Sequence, residues 1–281
     1  MQDNGSGQKK QGIFGAIFFI EIVSATAQDA VRSPQSTKIT MKKNLLFGVL
    51  TLLAGPLLAA DASPKDKVQT AATALGDAPN YTWQTTVDMG ADSPFKPGPT
   101  DGKTEKGGYT TISMSFGDNT SEGVLKGTNG AVKSADNGWQ SLADAMKDNG
   151  GGGFNPGMMI TRQIQNLKTP AVEASNLVTM VSELKQDGDK ISGDLTGDSA
   201  KTLLSFRGGR MGGGGPVVSN AKGDVKFWVK DGKLVKYAVH VKGTINFNGD
   251  DRDMERTTTT DIKDVGTTKI TIADEVKKIL P

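Results

Sequence analysis

The chain has 281 residues, 36 of them glycine, with 33 Lys or Arg against 31 Asp or Glu, a single histidine and no cysteine. The missing cysteine excludes disulfides, thiolate metal sites, cysteine nucleophiles and the lipid-bearing cysteine of a bacterial lipoprotein. The near balance of charge gives no basic surplus of the kind that nucleic acid needs, so no nucleic-acid partner is expected.

Residues 1–40 hold Lys9-Lys10 ahead of the apolar "GIFGAIFFI", a weakly signal-like order that Glu21 argues against. They read as a non-native or disordered leader, the product of an over-long gene start; an N-terminal membrane anchor is the alternative. Residues 41–62 are a sharper case. Met41, Lys42 and Lys43 precede an apolar run from Leu45 to Leu58, and small residues follow. Basic, apolar and small in that order is the secretory signal pattern. A spanning helix needs about 20 apolar residues, and this run is shorter and interrupted by Pro56. A buried core helix would be amphipathic, and this one is apolar all round. The expectation is a signal peptide handed to the export machinery and cut near Ala60 or Ala62, with a periplasmic or secreted product. Six of the basic and four of the acidic residues fall in residues 1–62, so the remaining chain is formally neutral. Residues 63–281 suffice for a single domain.

Within it, "KVQTAATALGDAPN" is a helix candidate ending near Gly76. "YTWQTTVDM" alternates Tyr81, Trp83, Thr85 and Val87 against polar neighbours, the period of a half-buried strand. Residues 92–107, rich in Pro, Gly and Lys, read as a loop. "GYTTISMSFG" is a second strand with Ile112, Met114 and Phe116 on its apolar face, and "EGVLKG" and "GAVKSA" are short strands about Thr128-Asn129. A helical middle follows. "WQSLADAMKD" sets Trp139, Leu142 and Met146 at helical spacing, "MMITRQIQNL" suggests a further helix, and "AVEASNLVTMVSELKQDG" places Val172, Leu177, Val181 and Leu184 along one helix face. "DKISGDLTG" returns to a strand, and "DSAKTLLSF" is a helix capped by Asp198 or Ser199. In "GDVKFWVKDGKLVKYAVHVKGTINFNG" two alternating runs meet at Asp231-Gly232, a strong hairpin signal. "RTTTTDIKDV" supplies a third strand after an acidic turn at 248–253, and "TTKITIADEVKKIL" closes the chain as a short strand and helix. The sum is an α+β domain.

Catalytic and metal chemistry find little to stand on. His240 falls on the polar face of its strand with Lys236, Ala238 and Lys242, which predicts a solvent-facing residue, and a second histidine for a metal site does not exist. No Gly-x-Ser-x-Gly elbow is present. "GDDRDMER" carries four acids but does not match a calcium-binding loop. No cofactor, metal or catalytic residue is expected, and an exported hydrolase would need an acid–base cluster that the sequence does not show. "RGGRMGGGGP", with Arg207, Arg210 and Met211, is not a P-loop; a mobile surface loop is expected, with a lid over a cavity as the sharper reading. The methionines, Met114 and Met180 among them, suit either core filling or an adaptable apolar binding surface.

The run "GDVKFWVKDGKLVKYAVHVKGTI", with its Trp-x-Lys-Asp-Gly stretch, the polar strand "RTTTTDIKDVG" and the closing "TKITIADEVKKI" resemble the LolA/LppX-like group of bacterial envelope proteins. "YTWQTTV" and "YTTISMSF" are compatible with it. The chain departs from the group in lacking a lipid-bearing cysteine, in Ala273 where a proline is common, and in its glycine-rich insertions. The resemblance implies a curved antiparallel sheet, a half-barrel, with helices packed across its concave face and a lipid or other apolar ligand between them. The interior positions expected to meet that ligand are Trp83, Ile112, Met114, Phe116, Leu177, Val181, Phe227, Val239 and Val241. The alternative is a non-enzymatic structural or interaction module binding an envelope protein partner.

Overall fold

A computed structural model describes residues 62–281 apart from 91–92, 94–95, 117–118, 135–137, 149–155, 206–216 and 248. The expected leader, signal peptide and glycine-rich loop, with Arg207, Arg210 and Met211, lie outside the described residues. The described part belongs to one unit, built on a single antiparallel sheet of eleven strands ordered β6-β5-β4-β3-β2-β1-β11-β10-β9-β8-β7.

Helix α1 (Pro64–Asp77) opens it, capped by Ser63, whose hydroxyl accepts from the Asp66 amide at 3.1 Å. Strands β1 (Asn80–Asp88), β2 (Thr100–Glu105), β3 (Tyr109–Phe116), β4 (Asn119–Lys126), β5 (Asn129–Ser134) and β6 (Gly138–Ser141) follow in a meander. Helices α2 (Leu142–Asp148), α3 (Pro156–Gln165) and α4 (Pro170–Thr179) come next, then β7 (Lys185–Asp187), β8 (Lys190–Asp194) and helix α5 (Gly197–Leu204). Three long strands, β9 (Val217–Lys230), β10 (Lys233–Phe247) and β11 (Asp250–Lys263), return the chain to the middle of the sheet, where β11 pairs with β1, and helix α6 (Asp274–Ile279) ends it. The sheet is curved, and helices pack across its concave face.

Several expectations are corrected. Residues 100–105 are a strand and not part of a loop. Their sequence hides it, because the concave positions are Thr100, Gly102 and Thr104. A β-carbon at Gly102 would overlap the Trp83 indole, so the ring's place fixes glycine there, and Thr104 takes the indole N–H at 3.2 Å. Trp139 stands on β6, and α2 begins only at Leu142 behind a Ser141 hydroxyl that accepts from the Asp144 amide. Helix α4 stops at Thr179, so Val181 and Leu184 do not extend its face. Val181 instead forms an isolated bridge with Leu195, while Val172 is 49 % exposed. The buried face of α4 is Ala171, Ala174, Leu177 and Val178. The cap of α5 is Thr196, whose hydroxyl accepts from the Ser199 amide at 3.2 Å. Asp250 to Asp253 lie within β11 and not in a turn: Asp251 accepts from Asn246 and Asp253 from Thr244 across the β10 pairing. Residues 267–273 form no strand.

The hairpin expected at Asp231-Gly232 is present, with φ of 49° and 74° at the two turn residues. Both torsions are left-handed, which suits the twist of the paired strands and favours glycine at the second position. Removing the α5 cap by Thr196→Ala should cost about 1 kcal/mol of stability, read as a lower urea midpoint with an unchanged slope; no shift would show that the cap bond contributes nothing in solution.

Candidate functional site

Cross-strand register stacks the concave face in layers. One layer runs Ile262, Trp83, Gly102, Ile112, Gly123 and Val132 across β11 to β5. The next runs Ile191, Phe227, Tyr237, Thr260, Thr85, Thr100 and Met114 across β8 to β3. Beyond it lie Val225, Val239, Thr258 and Val87, then Val241 beside Arg256.

Two buried apolar clusters occupy this face. The larger joins Trp83, Leu177, Phe227, Val239 and Val241 to residues of α1, α4 and α5, with Val181 packed against it. The smaller joins Ile112 and Met114 to Val132, Leu142, Ala145 and Ile164 of β5, α2 and α3. Leu167 touches both. The sequence-derived interior residues are thus brought together in two groups, and Trp83, Ile112, Met114, Leu177, Phe227, Val239 and Val241 are all at most 9 % exposed. Phe116 ends β3, and its side chain lies outside the described residues.

Between the clusters the face is less covered. Thr85 and Val87 on β1, Thr100 on β2, and Met254, Arg256 and Thr258 on β11 are half-buried, although alternation puts them on the same face as Trp83 and Ile262. Polar groups pair along this strip. The Thr85 and Thr260 hydroxyls share a hydrogen bond of 2.8 Å, and the Tyr237 hydroxyl donates to the Glu173 carboxylate of α4 at 2.6 Å. Arg256 Nη2 donates to the Leu203 carbonyl at the end of α5 at 2.8 Å. Its Nε is buried with no hydrogen-bond partner among the described residues. Burial pushes the guanidinium below its ordinary value, and the charge of Glu173 partly opposes that. Sequence reasoning passed over these groups. The available signal was the alternation of β11, which sets Met254, Arg256, Thr258 and Thr260 on the face of Ile262.

Burial, then the Glu173 charge, raises the Tyr237 hydroxyl well above its usual value near 10. Burial also raises Tyr81, with hydrogen bonds to Thr169 and Thr104 opposing. A group whose folded value is raised contributes stability that is whole below its unfolded value and is lost as pH rises beyond it. The denaturation midpoint should therefore fall as pH rises past about 10, and Tyr237→Phe should fall less steeply. Parallel curves would show that Tyr237 ionises as freely folded as unfolded.

The convex face differs. Segment 269–276 and α6 cross β4 and β5, burying Val124 and Ala131 under Ile272, Val276 and Leu280. Beside them a pocket of about 450 Å³ is lined by Thr82, Lys103, Glu122, Lys133, Lys269 and Thr271 among others. It lies on the other side of the sheet from the strip, and of the expected interior residues only Ile112 reaches it. Its Lys133 is paired with Glu122 at 2.9 Å. His240 also faces this side, half-buried and held at 3.0 Å from Asp224 and 2.6 Å from Glu255. Among the described residues no group of His, Asp and Glu could hold a metal ion, and no helix is long and apolar enough to cross a membrane.

A curved antiparallel sheet with helices across its concave side, two apolar clusters and a half-covered strip between them define an α+β half-barrel. The structure is similar to that of LppX, a Mycobacterium tuberculosis lipoprotein, with a TM-score of 0.41 and 13 % identity over 74 % of this chain and 97 % of LppX. It is also similar to LprF from Mycobacterium bovis, with a TM-score of 0.39 and 14 % identity over 76 % and 99 % of the two chains. No family model and no curated protein matches the sequence.

Proposed function

We propose that this is an exported, non-enzymatic envelope protein that holds an apolar ligand, a lipid or acyl chain, against the concave face of its half-barrel. The observation that carries this reading is the half-buried strip of Thr85, Val87, Thr100, Met254 and Thr258 between two closed apolar clusters. A sheet face that existed only to form a core would be covered along its length. Here the strip has apolar walls on both sides and a floor of methyl-bearing side chains, the mix of mostly apolar lining and a few placed polar groups that ligand sites use. Burial of the ligand's apolar surface supplies the affinity, at about 25 cal/mol per Å² before ordering costs. Trp83, Ile112, Met114, Leu177, Val181, Phe227, Val239 and Val241 serve as the walls and their backing. Export through the signal-like residues 41–62 places the protein in the periplasm or outside the cell.

Val87 and Thr258 are cross-strand partners on the strip, so a tryptophan at either fills it from its β1–β11 floor. Val87→Trp and Thr258→Trp should each weaken binding of a neutral naphthylamine dye about tenfold, a loss of about 1.4 kcal/mol, with the urea midpoint little changed. Unchanged dye binding in both variants would move the ligand elsewhere or remove it.

A further inference from the structure

Arg256 is the one feature of the strip that an apolar ligand does not explain. Its strand partner is Val241, which is buried, and Met254 and Leu203 beside it pack against the larger apolar cluster. A guanidinium has five N–H donors and no acceptor. Among the described residues Arg256 gives one of them to the neutral Leu203 carbonyl, and its buried Nε has no partner. A buried cation is costly unless paired with an anion and fully hydrogen-bonded. Glu173, the acidic group that faces it from α4, is engaged by the Tyr237 hydroxyl at 2.6 Å. The carbonyl of Leu203 takes one Nη2 donor, and Nε beside it is left without a partner among the described residues.

Building on the apolar-ligand reading above, we infer that Arg256 is the head-group site of that ligand, and that the ligand is a single-chain amphiphile with an anionic oxygen head, a carboxylate or a phosphate. The Nε–H gives a charge-assisted hydrogen bond to an oxygen of such a head, and the guanidinium charge pairs with it. The chain then runs from Arg256 over Thr258 and Val87 toward Thr85 and Thr100, the positions left half-buried. The head satisfies the orphaned donor, and the tail covers the strip.

The test is a comparison of palmitic acid, hexadecyl phosphate and methyl palmitate for binding to the full chain, by displacement of the naphthylamine dye. Either anionic ligand should bind about tenfold or more tightly than the methyl ester, and the better of the two names the head. Arg256→Met should bind acid, phosphate and ester alike. Equal binding of all three by the unaltered protein would overturn the head-group site while leaving the apolar-ligand reading intact, and this comparison needs no variant to fold. A preference for the anions that survives in folded Arg256→Met would also overturn it, by placing the anion site elsewhere. Failure of all three to displace the dye would count against both readings.

Discussion

Phe227→Ala should lower the free energy of unfolding by about 3–5 kcal/mol. The Phe227 ring is 0 % exposed and lies between Ile191 and Tyr237 in register across three strands, with α1 packed over β9 and β10. Truncation removes the ring's burial and leaves a cavity whose walls are held by the sheet on one side and the α1–α4 layer on the other. Neither can collapse far, which puts the cost at the upper part of the range. A urea titration followed by circular dichroism measures it. A loss under about 1 kcal/mol would mean that the interior yields easily, and the distinction between closed clusters and a half-open strip would fail with it.

Gly102→Val should cost about 3 kcal/mol, at the upper end of overpacking effects, for a different reason. The Trp83 indole lies over Gly102, and its N–H reaches Thr104, which also receives the Thr110 hydroxyl at 3.4 Å. A side chain at 102 drives the ring out of a place defined by a buried hydrogen bond. The signature is coupling: Trp83→Leu in the Gly102→Val background should cost less than it does alone, by about 1 kcal/mol or more in a double-mutant cycle. Additive losses would show that the two positions do not share that space.

These two residues also show what the sequence could and could not reveal. Strand β1 was legible because Tyr81, Trp83, Thr85 and Val87 alternate with polar neighbours. The β9–β10 hairpin was legible because Asp231-Gly232 interrupts two alternating runs. Strand β2 was not, since the partner of a tryptophan lying flat on the sheet must be small, and Gly102 erases the alternation that marks a strand. The end of α4 was misread because Val181 and Leu184 continue a helical spacing of apolar residues, although the chain has already turned at Met180 to bridge Leu195. The α5 cap was missed by two or three residues because Asp198 and Ser199 are as good capping types as Thr196.

For the site, the apolar walls could be read from residue type and period, but their separation into two clusters could not. It depends on which helix covers which strands, and period says nothing of that. The strip itself was hidden by composition. "RTTTTD" looks polar on both faces, and only the pairing of Thr258 with Val87 and of Thr260 with Thr85 shows that alternate threonines face inward. Arg256 stands among the acids of "GDDRDMER", a composition that suggests solvent; its neighbours Val241 and Leu203, distant in sequence, are what half-bury it.

The most direct test of ligand carriage is mass spectrometry of an organic extract of the protein purified without detergent from the cells that make it. An acyl-chain lipid at about one per protein, absent from Val87→Trp, is the expected result. A clean extract, together with a native mass spectrum showing only the bare chain, would contradict it and leave the half-barrel as an interaction module of the envelope.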